Sequence, residues 1–179
     1  MENQRKNIIA ISGSTRQNST NHLLIKAIAD LSADIFKLIV FEDLIALPAF
    51  NPDESFENTP QKVIAFRALL QNADGVLICT PEYAHGVPGV LKNAIDWTVS
   101  SAEFSSKPTV LITAATDGQY AHQSLMGTLK VIEAKNIENL QLLIPYAKTK
   151  VSAEGRITEE KTLGEIRALI DRFNQTLKN

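Results

Sequence analysis

A single cysteine, Cys79, in 179 residues leaves no partner for an internal disulfide and fits a reducing compartment. No apolar run approaches ~18 residues, and residues 1–7 are largely polar, so neither a signal peptide nor a membrane span is expected. Excess charge is also lacking: 18 Lys and Arg against 20 Asp and Glu leave a net charge of −2. No basic field is therefore present to attract nucleic acid or an anionic membrane surface. The three histidines and the acids show no metal-ligand spacing. Repeats, low-complexity segments and linkers are absent as well. What remains is a chain that is 44% hydrophobic, enough for one domain spanning 1–179 with an ample core, expected to be soluble and cytoplasmic.

Apolar strands alternate with amphipathic helices along that domain. Strands are expected at Ile8–Ile11, Phe36–Phe41, Gly75–Thr80, Thr109–Thr113 and Leu140–Ile144. The third is apolar throughout, as a parallel sheet covered on both faces requires. Helices are expected after the first strand (Leu23, Leu24, Ala27, Ile28 and Leu31 at helical spacing), over Gln61–Asn72, Gly89–Ser100 and Gln119–Lys135, and after a Thr158 cap. Residues 42–60 read as a long loop, and loops of that length usually serve function or an interface. Five strands with crossover helices give an α/β, doubly wound parallel sheet, inferred order 2-1-3-4-5, with helices on both faces. In such sheets ligands bind beyond the carboxyl ends of the strands, so the turns after strands one, three and four share one crevice.

The first of these turns organises the chain. Ile8–Ile11 runs into Ser12-Gly13-Ser14-Thr15-Arg16-Gln17-Asn18-Ser19-Thr20-Asn21, with five hydroxyls and one Arg. Strand, hydroxyl-rich turn and helix start converge backbone N–H groups and a helix dipole on an anion. Arg16 adds a permanently charged planar fork suited to phosphate. The turn lacks the three glycines of a dinucleotide fingerprint, the Gly-Lys-Ser/Thr ending of a P-loop and the nucleophilic cysteine of a phosphatase loop. A monophosphate held by hydroxyls and Arg16 fits; helix capping by Ser or Asn without a ligand is the alternative.

The second turn, Thr80-Pro81-Glu82-Tyr83-Ala84-His85-Gly86-Val87-Pro88-Gly89, is stiffened by two prolines. Its exposed N–H groups suit the polar edge of a flat heterocycle, with Tyr83 available to stack; an ordinary strand–helix connection is the alternative. Gly13-Ser14-x-Arg16-x-x-Ser19-x-Asn21, followed by Thr80-Pro81-Glu82-Tyr83 and Leu91-Lys92-Asn93-Ala94-Ile95-Asp96-Trp97, resembles the NADPH-dependent FMN reductase family. That family comprises flavin, quinone, azo-dye and chromate reductases on a flavodoxin-like fold.

The resemblance implies FMN as cofactor and NADPH or NADH as co-substrate. A hydride would pass to the flavin and on to a small-molecule acceptor in a ping-pong cycle, with no catalytic side chain required. It implies Ser14, Arg16 and Ser19 as phosphate ligands with Asn21 bracing the turn. Pro81, Glu82, Tyr83 and Ala84 would line the pyrimidine side of the flavin. Ala115, Thr116, Asp117 and Gly118 would form the third turn. It also implies a homodimer or dimer of dimers, with the helix around Asn93, Asp96 and Trp97 near the interface. Two positions depart from the pattern: Ala84 and His85 stand where Asn usually follows Pro-Glu-Tyr, and the third turn lacks a second glycine.

An electron-carrying flavodoxin is a rival, although such carriers are usually strongly acidic and lack the Arg. A flavin-free binding or regulatory scaffold is another. Cys79 reads as core, His122 as structural at the site rim, His22 as a surface residue near the phosphate turn, and Trp97 as packing or interface. The loop residues Leu44, Ile45, Leu47, Phe50 and Phe56, with Trp97, are expected to be too apolar to lie open on a monomer.

Overall fold

The computed structural model describes residues 5–54 and 58–179. Strands β1 (Lys6–Ser12), β2 (Phe36–Phe41), β3 (Gly75–Thr80), β4 (Thr109–Ala114) and β5 (Gln141–Ile144) form one sheet in the order β2-β1-β3-β4-β5. Every neighbouring pair is parallel. The order reverses direction at β1 and β3, whose ends are in register through Ser12 and Cys79. That is the switch point at which doubly wound sheets bind ligands.

Side-chain alternation sorts the strands into two cores. Ile9, Ile11, Val76 and Ile78 face α2 (Gln61–Asn72), α3 (Gly89–Asp96) and α4 (Gln119–Val131) through Phe66, Leu91 and Leu125. Ile8, Ala10, Leu77 and Cys79 face α1 (Thr20–Leu31) and α5 (Glu160–Lys178) through Leu24, Ile25, Ile166 and Phe173. Residues one apart on a strand point to opposite faces, so a continuous apolar strand fills both layers at once. No described helix is long and apolar enough to cross a membrane.

Several boundaries differ from the sequence reading. The helix expected over Gly89–Ser100 ends at Asp96. There the Trp97 carbonyl is taken by Arg67, whose Nε donates to it at 2.8 Å, and Thr98 turns its hydroxyl back onto the Ile95 carbonyl. The helix from Gln119 stops at Val131, short of Lys135. Beyond it Glu133 and Asn136 adopt left-handed backbone, which an α-helix cannot continue through. Thr158 does not cap α5; the helix opens after Glu159, whose carboxylate accepts from the Thr162 hydroxyl.

The 42–60 connection is also more closely held than a bare loop. It contains two short 3₁₀ turns, Asp43–Ala46 and Pro52–Glu54. Asn93 clamps it: Phe50 N–H donates to Asn93 Oδ1 at 2.7 Å and Asn93 Nδ2 donates to the Pro48 carbonyl at 2.9 Å. Trp97 Nε1 donates to the same carbonyl at 2.8 Å, and its ring meets Phe50 edge-on. Leu44, Leu47 and Trp97 are thus buried in the chain's own core, leaving Ile45 as the exposed apolar residue of the first turn. The expectation that these apolar side chains mark a subunit interface is corrected for Leu44, Leu47 and Trp97, which the chain covers by itself; Phe56 lies outside the described residues.

Candidate functional site

Three turns and a loop meet beyond the carboxyl edge of the sheet. The first turn leaves β1 with Gly13 N–H donating to the Cys79 carbonyl at 2.8 Å. A Cβ at Gly13 would stand 2.2 Å from Thr80 Oγ1, so this close passage of the turn over β3 requires glycine. Ser14 N–H donates to Ser12 Oγ, and Arg16 N–H to Ser14 Oγ at 3.3 Å. Asn18 takes the left-handed conformation that aims the chain into α1. Ser19 is the N-cap, accepting from His22 N–H at 3.2 Å.

The Arg16 side chain is exposed and, among the described residues, has no hydrogen bond or ion pair. Asn21 points inward instead. Its Nδ2 donates to the Ala114 carbonyl at 3.3 Å and its Oδ1 accepts from Cys79 Sγ at 3.3 Å. The start of α1 is thereby tied to the ends of both β3 and β4. His22 is half-buried rather than a free surface residue, with Nδ1 2.7 Å from Ser19 Oγ.

The second turn is a two-residue hairpin. Tyr83 and Gly86 exchange both backbone hydrogen bonds, at 3.0 and 2.9 Å. Between them Ala84 and His85 both have left-handed φ, 48° and 57°. This primed turn favours Asn and Gly at its centre, and Ala carries a steric penalty there. The Tyr83 hydroxyl reaches to 3.5 Å of Ser14 Oγ, joining the first two turns. His85 stacks on Tyr120 of α4, with ring centroids 4.4 Å apart.

The third turn ends at Gly118, whose φ of 95° makes it the N-cap of α4. His122, in the first turn of α4, is buried against β4 and β5 rather than at the rim: Nδ1 lies 2.9 Å from Thr113 Oγ1 and Nε2 2.6 Å from Gln141 Oε1. Both ring nitrogens are engaged within the fold, a structural role.

These elements enclose a cavity of about 590 Å³, within the usual range for small-molecule sites. Ser14, Arg16, Ser19 and Asn21 line it from the first turn, Pro81, Glu82 and Tyr83 from the second, and Ala115 and Thr116 from the third. Ala84 and Asp117 do not line it; Ala84 sits at the hairpin tip and Asp117 at the start of the α4 cap. A fourth wall, Tyr146–Ala153, escaped the sequence reading. Tyr146 and Ala147 N–H groups donate to the Thr116 and Ala115 carbonyls, both at 3.1 Å. The strand order itself carried the signal, because β5 ends beside β4.

The donor set suits a phosphate ester attached to a flat ring. Hydroxyls and a guanidinium line it near a helix N-terminus, together with a proline-stiffened turn and its exposed tyrosine. Among the described residues, no cluster of His, Cys, Asp and Glu could hold a metal ion.

Comparison with known proteins finds relatives over most of the chain. The family described as NADPH-dependent FMN reductase matches residues 6–149. A 2-hydroxy-1,4-benzoquinone reductase from Burkholderia sp. is 30% identical over 172 residues, covering 93% of each chain. An NAD(P)H-dependent FMN reductase from Pseudomonas aeruginosa is 31% identical over 177 residues, covering 96% of this chain and 92% of its own. Among solved structures, a flavoenzyme NAD(P)H:(acceptor) oxidoreductase from Paracoccus denitrificans superposes with a TM-score of 0.77 at 23% identity, over 97% of both chains.

Proposed function

The chain belongs to the NADPH-dependent FMN reductase family, and from that premise we propose that it is an NAD(P)H-dependent reductase of flat aromatic acceptors, quinones foremost, working through FMN. The observation that carries the reading is the first turn, where Ser14, Ser19 and Arg16 line the cavity at the N-terminus of α1. That is a donor set for a phosphate dianion. Bound FMN would supply the redox chemistry, hydride transfer from nicotinamide to acceptor.

The protein's share is position and access. Ser14 and Ser19 hydroxyls and the Arg16 guanidinium hold the phosphate end. Asn21, fixed by Cys79 and Ala114, keeps the start of α1 seated on the sheet. Pro81, Glu82 and Tyr83 would line the ring. Tyr83, Tyr120 and Tyr146 are 54%, 54% and 66% exposed around this end of the sheet, and such faces suit a planar acceptor. The two half-reactions share this opening, so nicotinamide leaves before the acceptor enters, a ping-pong order. We further propose at least a dimer in solution, in which exposed Ile45 of one copy is covered.

The test is a coloured protein. Purified protein should be yellow, bleach with NADPH or NADH, and recolour with a benzoquinone faster than with a metal oxyanion. A colourless protein that takes up no FMN would support the flavin-free scaffold. A yellow one that bleaches only with a protein electron donor would support the carrier.

A further inference from the structure

We propose that Lys148, on the fourth wall of the cavity, is a second cation for the flavin phosphate, acting together with Arg16. This rests on the FMN reading above and adds a residue from a part of the chain that the phosphate turn does not include.

Three observations carry it. First, among the described residues the charged side chains lining the cavity are Arg16, Glu82 and Lys148. Glu82 already has a partner, its Oε2 accepting from Ala121 N–H at 2.8 Å. The two cations have none among the described residues, whereas neighbouring Lys150 is paired with Glu159 at 3.1 Å.

Second, Lys148 is held in place by backbone. It is the middle residue of a 3₁₀ turn, Ala147–Thr149, entered through a left-handed Tyr146. Buried Ala147 pins one side, and the Thr149 hydroxyl donates to the Tyr146 carbonyl at 2.9 Å. The Tyr146 and Ala147 N–H groups tie the turn to the third turn of the site. None of these contacts uses the lysine side chain, so truncating it leaves the wall standing.

Third, the same loop lies across the start of α1. Val151 and Ala153 line the cavity together with Leu23. Lys26 Nζ donates to the Glu154 carbonyl at 3.1 Å, and Gly155 packs against the Leu23 carbonyl. The end of this loop therefore packs against the first turns of α1, the helix whose N-terminus would receive the phosphate.

Charge balance explains the need. A phosphate monoester carries about −1.5 to −2 at neutral pH. Arg16 supplies +1 and a helix N-terminus about +0.5. Lys148 completes the neutralisation as a point charge, where Arg16 supplies the planar fork.

The test compares FMN with riboflavin, which lacks the phosphate, by fluorescence titration of apoprotein carrying Lys148→Ala, Lys148→Arg or, as a charge control, Lys37→Ala on the opposite end of β2. Lys148→Ala should weaken FMN about tenfold, as loss of one charge-assisted contact does, and leave riboflavin unchanged. The loss should shrink as salt is raised, Lys148→Arg should restore most affinity, and Lys37→Ala should match wild type. Equal losses for FMN and riboflavin, or unchanged FMN affinity with a raised KM for NADPH, would overturn the proposal while leaving the family reading intact. Failure of the wild-type protein to bind either flavin would remove the FMN reading and this inference with it.

Discussion

The Glu82 carboxylate accepts a hydrogen bond from the backbone N–H of Ala121 at 2.8 Å, joining the second turn of the site to the first turn of α4. Helix α4 has no side-chain cap of its own, because its N-cap is Gly118. A carboxylate from a distant turn thus satisfies one of the free N–H groups and meets the positive end of the helix. The acid of the Pro-Glu-Tyr segment is therefore a brace as well as a wall of the cavity.

Glu82→Ala should accordingly lower stability by about 1 kcal/mol, the usual size of a lost N-terminal cap. For a chain of this length that is a fall in Tm of about 2–4 °C. Glu82→Gln keeps an acceptor oxygen and should recover more than half of the loss. Thermal unfolding of the two variants checks the assignment, and identical melting of all three proteins would refute it.

At the hairpin tip the expected change has the opposite sign. Ala84 holds φ of 48°, a conformation that costs an L-residue with a Cβ about 1 kcal/mol or more and suits Asn better. Ala84→Asn should raise Tm by about 1–3 °C. Its side chain stands outside the cavity lining, so flavin affinity should change little. A drop in Tm would mean that the turn is held by something other than its backbone geometry.

Much of this was legible in the sequence, and particular residues show why. The strand order follows from Gly75–Thr80 reading as apolar on both faces, and the burial of all six residues agrees. The first turn is legible because its chemistry is contiguous. Glu82 and Ala121, by contrast, are 39 positions apart, and their bond depends on where α4 lands after β4. Tyr146–Ala153 was missed for a related reason: it is a polar loop with no motif, and only β5 lying beside β4 brings it to the cavity. The burial of Leu44, Leu47 and Trp97 hinged on Asn93 clamping a loop more than forty residues upstream, which no local pattern announces.

Arg16 is exposed, and among the described residues its side chain makes no hydrogen bond or ion pair. Arg16→Ala should therefore leave Tm of the apoprotein unchanged. It should weaken FMN binding about ten- to hundredfold, matching a lost charge-assisted contact of about 1.5–3 kcal/mol. Titration of the apoprotein with FMN decides it, and unchanged affinity would remove this turn from the phosphate site.

Acid stability should depend in part on Asp74, far from the site. Burial alone would raise its pKa, but the Asn7 N–H at 2.8 Å and Lys6 Nζ at 3.0 Å outweigh that and hold it below the ordinary value. A carboxyl with a depressed native pKa stabilises the fold at pH above its unfolded value, and the contribution disappears as pH falls through the native one. Asp74→Asn should therefore flatten the stability profile below about pH 4. Urea unfolding at pH 3 and pH 6 reads the difference, and parallel losses in both proteins would exclude Asp74.

Cys79 invites a redox role that its surroundings deny. Its side chain is fully buried, on the α1 and α5 side of the sheet with Leu77, while Val76 and Ile78 face the other way. Burial pushes the thiol well above its ordinary range, so it stays protonated at neutral and mildly alkaline pH and is a poor nucleophile. Its Sγ donates to Asn21 Oδ1, and that bond is its structural contribution, because Asn21 seats the start of α1. Cys79→Ala removes the donor and a little volume, leaving a buried acceptor unpaired, and should cost about 1–3 kcal/mol of stability. Cys79→Ser supplies an O–H in place of the S–H and should lose less. Both variants, once loaded with FMN, should turn over NAD(P)H and a quinone at near wild-type rates, because the flavin carries the two electrons without a thiol. In the native protein iodoacetamide should label Cys79 far more slowly than after unfolding. Normal flavin occupancy in Cys79→Ser combined with turnover reduced by orders of magnitude would place the thiol in the chemistry and defeat the flavin-only mechanism.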